Sequence, residues 1–155
     1  MRFSIIAVGE KMPDWVTDAC QEYAKRLQGS FQVKLIELPL AKRTKNADTT
    51  KVIRDESSAI ANAIPAGDTV IALDLRGKHW STEDLSHKIA NWQMMGDQVS
   101  FLIGGPDGFD ERCLSRAQEC WALSKLTLPH PVVRIVLYEQ LYRAWSILNH
   151  HPYHR

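Results

Sequence analysis

The chain ends NHHPYHR, where His150, His151, Tyr153, His154 and Arg155 follow directly on a strongly apolar stretch. A terminus usually frays into bland polar residues. These side chains could instead stack on a ring, move a proton near neutral pH and bind an anion. On composition alone, a frayed polar end is the competing reading. Three other stretches place glycine, proline or a carboxylate where an apolar run stops. They are ALDLRGK with Asp74 and Leu75, LIGGPDG with Gly104 and Gly105, and LSKLTLPHP with Pro129 and Pro131. In open α/β sheets, ligands bind outside the carboxyl ends of the strands. Paired glycines there let a ligand approach the backbone.

The motifs exclude several chemistries. GGPDG is neither Gly-x-Gly-x-x-Gly nor a phosphate loop with Gly-Lys-Ser/Thr, and a plain turn explains it equally well. No Gly-x-Ser-x-Gly elbow is present, and serine, histidine and aspartate show no triad context. His150 and His154 are four apart, but Pro152 lies between them and breaks the helix that would align them. His79, His87 and His130 have no neighbour at ligand spacing, so no metal is expected. Arg134 and Arg143 are further cations near these stretches, with structural ion pairing as the alternative. His130, between two prolines, reads as a loop cap.

The elements that position these groups alternate in type. RFSIIAVG is a short apolar run closed by Gly9. Pro13 opens a helix with Trp15, Val16, Ala19, Cys20, Tyr23, Ala24 and Leu27 at helical spacing, stopped by Gly29. FQVKLIELP alternates as a strand does. Residues 40–47 form a basic loop, and Asp48 precedes a helix bearing Val52, Ile53, Ile60, Ala63 and Ile64 that Pro65 and Gly67 end. DTVIALDL and QVSFLIGG read as buried strands, and RGKHW as a loop. Ser81 and Asp84 form a capping box ahead of a helix with Leu85, Ile89 and Trp92. Asp110 begins a short helix to about Glu119, WALSKLTL is a fifth strand-like run, and a final helix covers about 132–149. Strand and helix in turn predict a single α/β sandwich domain over 1–155 with a mainly parallel sheet. The final helix is apolar almost all round, from Val133 to Leu148. It needs cover on two sides, so a homodimer is expected, with burial inside one chain as the alternative.

Composition sets the outer bounds. Of 155 residues, 45% are apolar and 24% charged, ordinary for one globular domain. The start of the chain reads as a first strand, not a secretion signal, and no apolar run is long enough to span a bilayer. Three cysteines without Cys-x-x-Cys read as reduced thiols of a cytoplasmic protein. Net charge is +1, so a nucleic-acid binder needs a local patch. The candidate is AKRTKNADTTKVIR, with Lys42, Arg43, Lys45, Lys51 and Arg54. A solvated loop and helix face is the competing reading.

AVGEKMPDW, IALDLRGK, FLIGGPDG, LSKLTLPHPVVRIVLYEQLYRAW and HPYHR together resemble one bacterial family across the whole chain. That family is the ribosomal large-subunit pseudouridine N3-methyltransferases, compact members of the SPOUT superfamily. The resemblance implies an α/β fold with a C-terminal trefoil knot, a rare exception to ordinary chain topology. It implies an obligate homodimer that uses S-adenosylmethionine to methylate N3 of a pseudouridine in 23S ribosomal RNA. Near-neutral charge suits an assembled ribosome better than free RNA. By position, the resemblance places the cofactor on Leu73, Gly104, Leu123, Ser124, Lys125, Leu126, Thr127 and Leu128. Lys125 is expected to point away from the ligand. The tail residues Tyr153, His154 and Arg155 are expected at the substrate site, as base-packing ring, proton acceptor and anion binder. A SPOUT methyltransferase of another RNA, such as transfer RNA, and a non-catalytic ribosome-binding factor are the alternatives.

Overall fold

The computed structural model describes residues 1–27, 29–46 and 48–155. Five strands form one wholly parallel sheet. They are β1 (Arg2–Val8), β2 (Gln32–Leu38), β3 (Thr69–His79), β4 (Val99–Ile103) and β5 (Glu119–Ala122). Their order is β2-β1-β4-β3-β5. The helices between them are α1 (Asp14–Arg26), α2 (Thr49–Ala63), α3 (Thr82–Met95) and α4 (Glu111–Arg116), followed by α5 (His130–Leu148). Pro152–His154 form a closing 3-10 turn.

Strand periodicity decides the two layers. Phe3, Ile5 and Ala7 of β1 face one side with Ile71, Phe101 and Ile103, and α1, α3 and α5 cover them. Ile6 and Val8 face the other side with Val70, Ala72 and Leu102, under α2 and α4. Asp48 caps α2 by accepting from Thr50 N, and the Ser81–Asp84 capping box is complete in both directions. Gly96 ends α3 in the left-handed conformation, φ 73°.

Five boundaries or faces differ from the sequence expectation. RGKH is strand, not loop: β3 runs on to His79 and pairs with β5 at Lys78 and His79. Between Leu73 and Lys78 the register shifts, because both face Trp121, so residues 74–77 bulge. A Cβ on Gly77 would lie 2.5 Å from the Cys120 carbonyl carbon, so only glycine lets the two backbones pass. The fifth strand stops at Ala122, and 123–129 is a connecting segment. The short helix stops at Arg116, and Glu119 begins β5. α5 starts at His130, with Pro131 in its first turn, where a missing N–H costs nothing. Trp15, placed on the buried stripe of α1 by its spacing, is 58% exposed.

Candidate functional site

At the carboxyl edge of the sheet, three segments surround a cavity of about 800 Å³. The β3 bulge supplies Leu73, Asp74, Leu75 and Arg76. The turn after β4 supplies Gly104 to Phe109. The segment after β5 supplies Leu123, Ser124, Leu126, Thr127 and Leu128, and α5 closes the floor with His130 and Val133. Of the cofactor residues expected from the sequence, all but Lys125 line this cavity. Leu126 stands 71% exposed at the mouth, an apolar surface without cover. A second hollow, lined by Met1, Arg2, Phe31 and Gln98, lies at the amino edge of β1. A parallel sheet places its ligands at the opposite edge.

Two buried ion networks hold the glycine turn in place. In the first, Glu56 of α2 is 2% exposed. It takes a two-pronged contact from Arg43 (2.9 Å to each carboxylate oxygen) and one from Ala41 N (3.0 Å). Arg43 also reaches Asp107 of the turn at 3.1 Å. Gly105 packs directly on the Glu56 carboxylate. The turn itself is pinched by a Gly105–Gly108 bridge.

In the second network, Arg134 is 2% exposed on the first turns of α5. It donates to Glu37 Oε2 (2.6 Å), Gly9 O (2.7 Å) and His130 Nε2 (2.8 Å). His130 Nε2 therefore carries no proton. Its Nδ1–H is free to donate to Gly104 O at 3.3 Å. Burial first, and the Arg134 cation second, hold the His130 pKa below its ordinary value. His130 is thus more than a loop cap, and Arg134 is a structural ion-pair partner. No sequence spacing announced either network, since Arg134 and Gly9 are 125 residues apart.

The family described as "Predicted SPOUT methyltransferase" matches residues 1–154. The chain is 54% identical over 155 residues to "Ribosomal RNA large subunit methyltransferase H" of Marinomonas sp. (strain MWYL1), covering 100% of each chain. The protein of that name from Saccharophagus degradans is 56% identical, again over 100% of both. The one from Legionella pneumophila (strain Paris) is 49% identical over 100% of this chain and 99% of that one.

The chain belongs to the SPOUT methyltransferase family.

Solved structures agree on the fold. A probable methylase family protein from Haemophilus influenzae Rd KW20 superposes with TM-score 0.58 at 12% identity, over 96% of this chain and 68% of that one. A putative methylase family protein from Neisseria gonorrhoeae gives 0.51 at 11%, over 96% and 93%. SPOUT methyltransferases generally use S-adenosylmethionine.

In this SPOUT methyltransferase the tail is ordered against its own chain, but away from its own cavity. Tyr153 packs on Tyr142 (centroids 4.4 Å apart), with the Arg143 guanidinium 5.1 Å from its ring. Its hydroxyl donates to Glu139 Oε1 at 3.1 Å, and Arg143 donates to the same oxygen at 2.8 Å. Burial first, then hydrogen bonding with Tyr23, pushes the Tyr153 phenol up to about 12. It is a proton donor at neutral pH and no base. His154 Nδ1 lies 2.7 Å from Ser146 Oγ, and Arg155 is exposed. At 1.5 Å per residue, Ser146 sits on the order of 20 Å along α5 from Val133 at the cavity. The frayed-end reading is therefore wrong for Tyr153 and His154. Arg143 pairs with Glu139 and braces the tail.

Of the basic stretch, Lys42, Lys45, Lys51 and Arg54 are exposed, whereas Arg43 is committed to Glu56 and Asp107. The thiols are poorly reactive: burial pushes Cys20 and Cys113 up to about 11. Among the described residues no group of histidine, cysteine, aspartate or glutamate could hold a metal, and no helix is long and apolar enough to cross a membrane.

Proposed function

We propose that the cavity takes S-adenosylmethionine and that the chain methylates N3 of a pseudouridine in large-subunit ribosomal RNA. It would act as a cytoplasmic homodimer on assembled ribosomes. The observation that carries this reading is the cavity itself, with leucine walls and a glycine turn at the carboxyl edge of a parallel sheet. The residues fit the cofactor. Leu73, Leu123, Leu126 and Leu128 offer apolar faces for an adenine, and the backbone of 123–128 offers edge contacts. Gly104 lets the turn that lines the cavity close tightly: a Cβ there would meet the Gly108 backbone at 3.3 Å.

When bound, the cofactor supplies a methyl group on a sulfonium, an electrophile that a ring nitrogen can displace. The protein's part is to hold the two reactants, and such positioning contributes up to roughly 7–11 kcal/mol in model systems. The target nitrogen carries a proton between two carbonyls, so an acceptor is needed and a nearby cation helps. His154 and Arg155 have the right chemistry. Tyr153, its ring already packed, anchors the turn that carries them and borders the base.

One chain holds cavity and tail at opposite ends of α5, which supports a second copy supplying the tail. The outer side of α5 supports the same reading. Val132, Val136 and Ile147 remain partly exposed there, an apolar face that a partner would cover. The names of the relatives support ribosomal RNA as substrate. A net charge of +1 favours an assembled, shaped target over free RNA.

The test is transfer of a tritiated methyl group from S-adenosylmethionine to ribosomes that lack the modification, followed by nucleoside mapping. N3-methylpseudouridine in 23S RNA, with little product on a short free hairpin, is expected. Product in transfer RNA alone would move the substrate assignment. No product and no cofactor-dependent thermal shift would leave a binding factor without catalysis.

A further inference from the structure

Ser146 is a fully buried serine near the end of α5. A hydroxyl at such a position usually bonds back to the carbonyl four residues earlier. This one reaches forward into the tail. Ser146 Oγ lies 2.8 Å from His151 O, 3.2 Å from His154 N and 2.7 Å from His154 Nδ1. The Ser146 carbonyl accepts from His151 N at 2.9 Å as well.

The proton count at this hydroxyl has one solution. A hydroxyl carries one proton and two lone pairs. His154 N–H can only donate, and His151 O can only accept. The imidazole nitrogen can do either, according to tautomer. If the hydroxyl proton went to Nδ1, two bare oxygens would face each other 2.8 Å apart. With the proton on the His151 carbonyl, Nδ1–H donates to Oγ and every contact holds a hydrogen. We infer that Ser146 is a positioning residue that fixes His154 as the Nδ1–H tautomer, so that Nε2 presents the ring's free lone pair. Among the described residues, Nε2 has no hydrogen-bond partner.

This deepens the proposed function and rests on its reading of His154 as proton acceptor. In the step it serves, the N3–H bond of the base breaks and its proton goes to Nε2. The electron pair stays on N3 for attack on the methyl carbon. The imidazolium so formed keeps its Nδ1–H on Ser146 Oγ, so no ring flip or second proton shift is required. With the opposite tautomer, Nε2 would already carry a hydrogen and could not accept.

The experiment is nitrogen NMR of the full chain labelled with 15N-histidine, at about pH 8.5 where imidazoles are neutral. Comparison with His154→Gln identifies the His154 signals. The expected spectrum shows Nδ1 protonated and Nε2 bare in the wild type. Ser146→Ala should lose that preference, and Ser146→Thr, which keeps a hydroxyl, should restore it. In ribosome methylation, Ser146→Ala should lower kcat by on the order of tenfold or more while KM for S-adenosylmethionine holds. A wild-type spectrum with Nε2 protonated overturns the inference without any variant having to fold. An unchanged tautomer in Ser146→Ala also overturns it. The reading beneath it fails separately, if His154→Gln methylates ribosomes at the wild-type rate.

Discussion

Glu56 and Gly105 are in direct contact: a Cβ placed on Gly105 would lie 2.7 Å from Glu56 Oε1 and 3.2 Å from its Cδ. The carboxylate has nowhere to retreat, because Arg43 and Ala41 N hold it from the far side. Gly105→Ala must therefore push the turn, and the turn lines the cavity. Overpacking of this kind costs roughly 1–3 kcal/mol. Titration calorimetry with S-adenosylhomocysteine should show affinity reduced about ten- to hundredfold. An unchanged affinity would show that this turn does not shape the cofactor site.

Arg134 joins the ends of β1 and β2 to the start of α5. Removing a buried charged partner costs about 3–5 kcal/mol when its counterion stays buried. Glu37 keeps a side-chain exposure of 34% and can rehydrate, so Arg134→Met should cost about 3 kcal/mol, the lower end. Urea denaturation measures it. A loss below about 1 kcal/mol, the value of an ordinary surface pair, would mean that the network is ornamental.

His130 gives stability a pH dependence of known sign. Its folded pKa lies below the ordinary 6.5, by burial and by the Arg134 cation, against a smaller opposing effect of the Gly104 carbonyl and Glu37. The unfolded chain thus binds the proton first as pH falls. The His130 contribution is present above about 6.5 and is lost as pH drops from there through the folded value. Urea midpoints between pH 5 and 7 should fall less steeply with acid in His130→Asn than in the wild type. Parallel slopes would contradict the assignment.

The division of labour between tail and cavity predicts complementation. A chain ending at His151 keeps the cavity, and Gly105→Val keeps the tail; each alone should be inactive on ribosomes. Unfolded and refolded together, they should recover about a quarter of wild-type activity. Random pairing makes half the dimers mixed, each with one complete site. No recovery would place tail and cavity action within a single chain.

Much of this molecule follows from short-range pattern. Alternation in FQVKLIEL marks a half-buried strand, and the apolar runs FSIIAV, VIAL and VSFLI mark buried ones. The Ser81–Asp84 and Asp48 caps fix helix starts, and the strand–helix order yields the parallel sandwich. Gly104 stands out as one of a glycine pair at a strand end, whereas the cavity residues Leu73, Leu123, Ser124, Leu126, Thr127 and Leu128 are named individually only by resemblance over the whole chain. Local pattern failed where a partner distant in sequence decides. Polar RGKH became strand because β5 pairs with it and Gly77 lets the backbones touch. Apolar LSKLTL did not, because β3 has no further residues to pair with it.

What the sequence determined alone is the set of faces, caps and turns, since these depend on neighbours within about four residues. What the tertiary structure decided is which charged groups are spent on scaffolding and which stay free. Arg43 and Arg134 are held by Glu56 and Glu37, and Ser146 holds His154. The physical reason is that desolvation and hydrogen-bond satisfaction are properties of a closed three-dimensional environment. An arginine in a string of letters carries no sign of whether water will reach it.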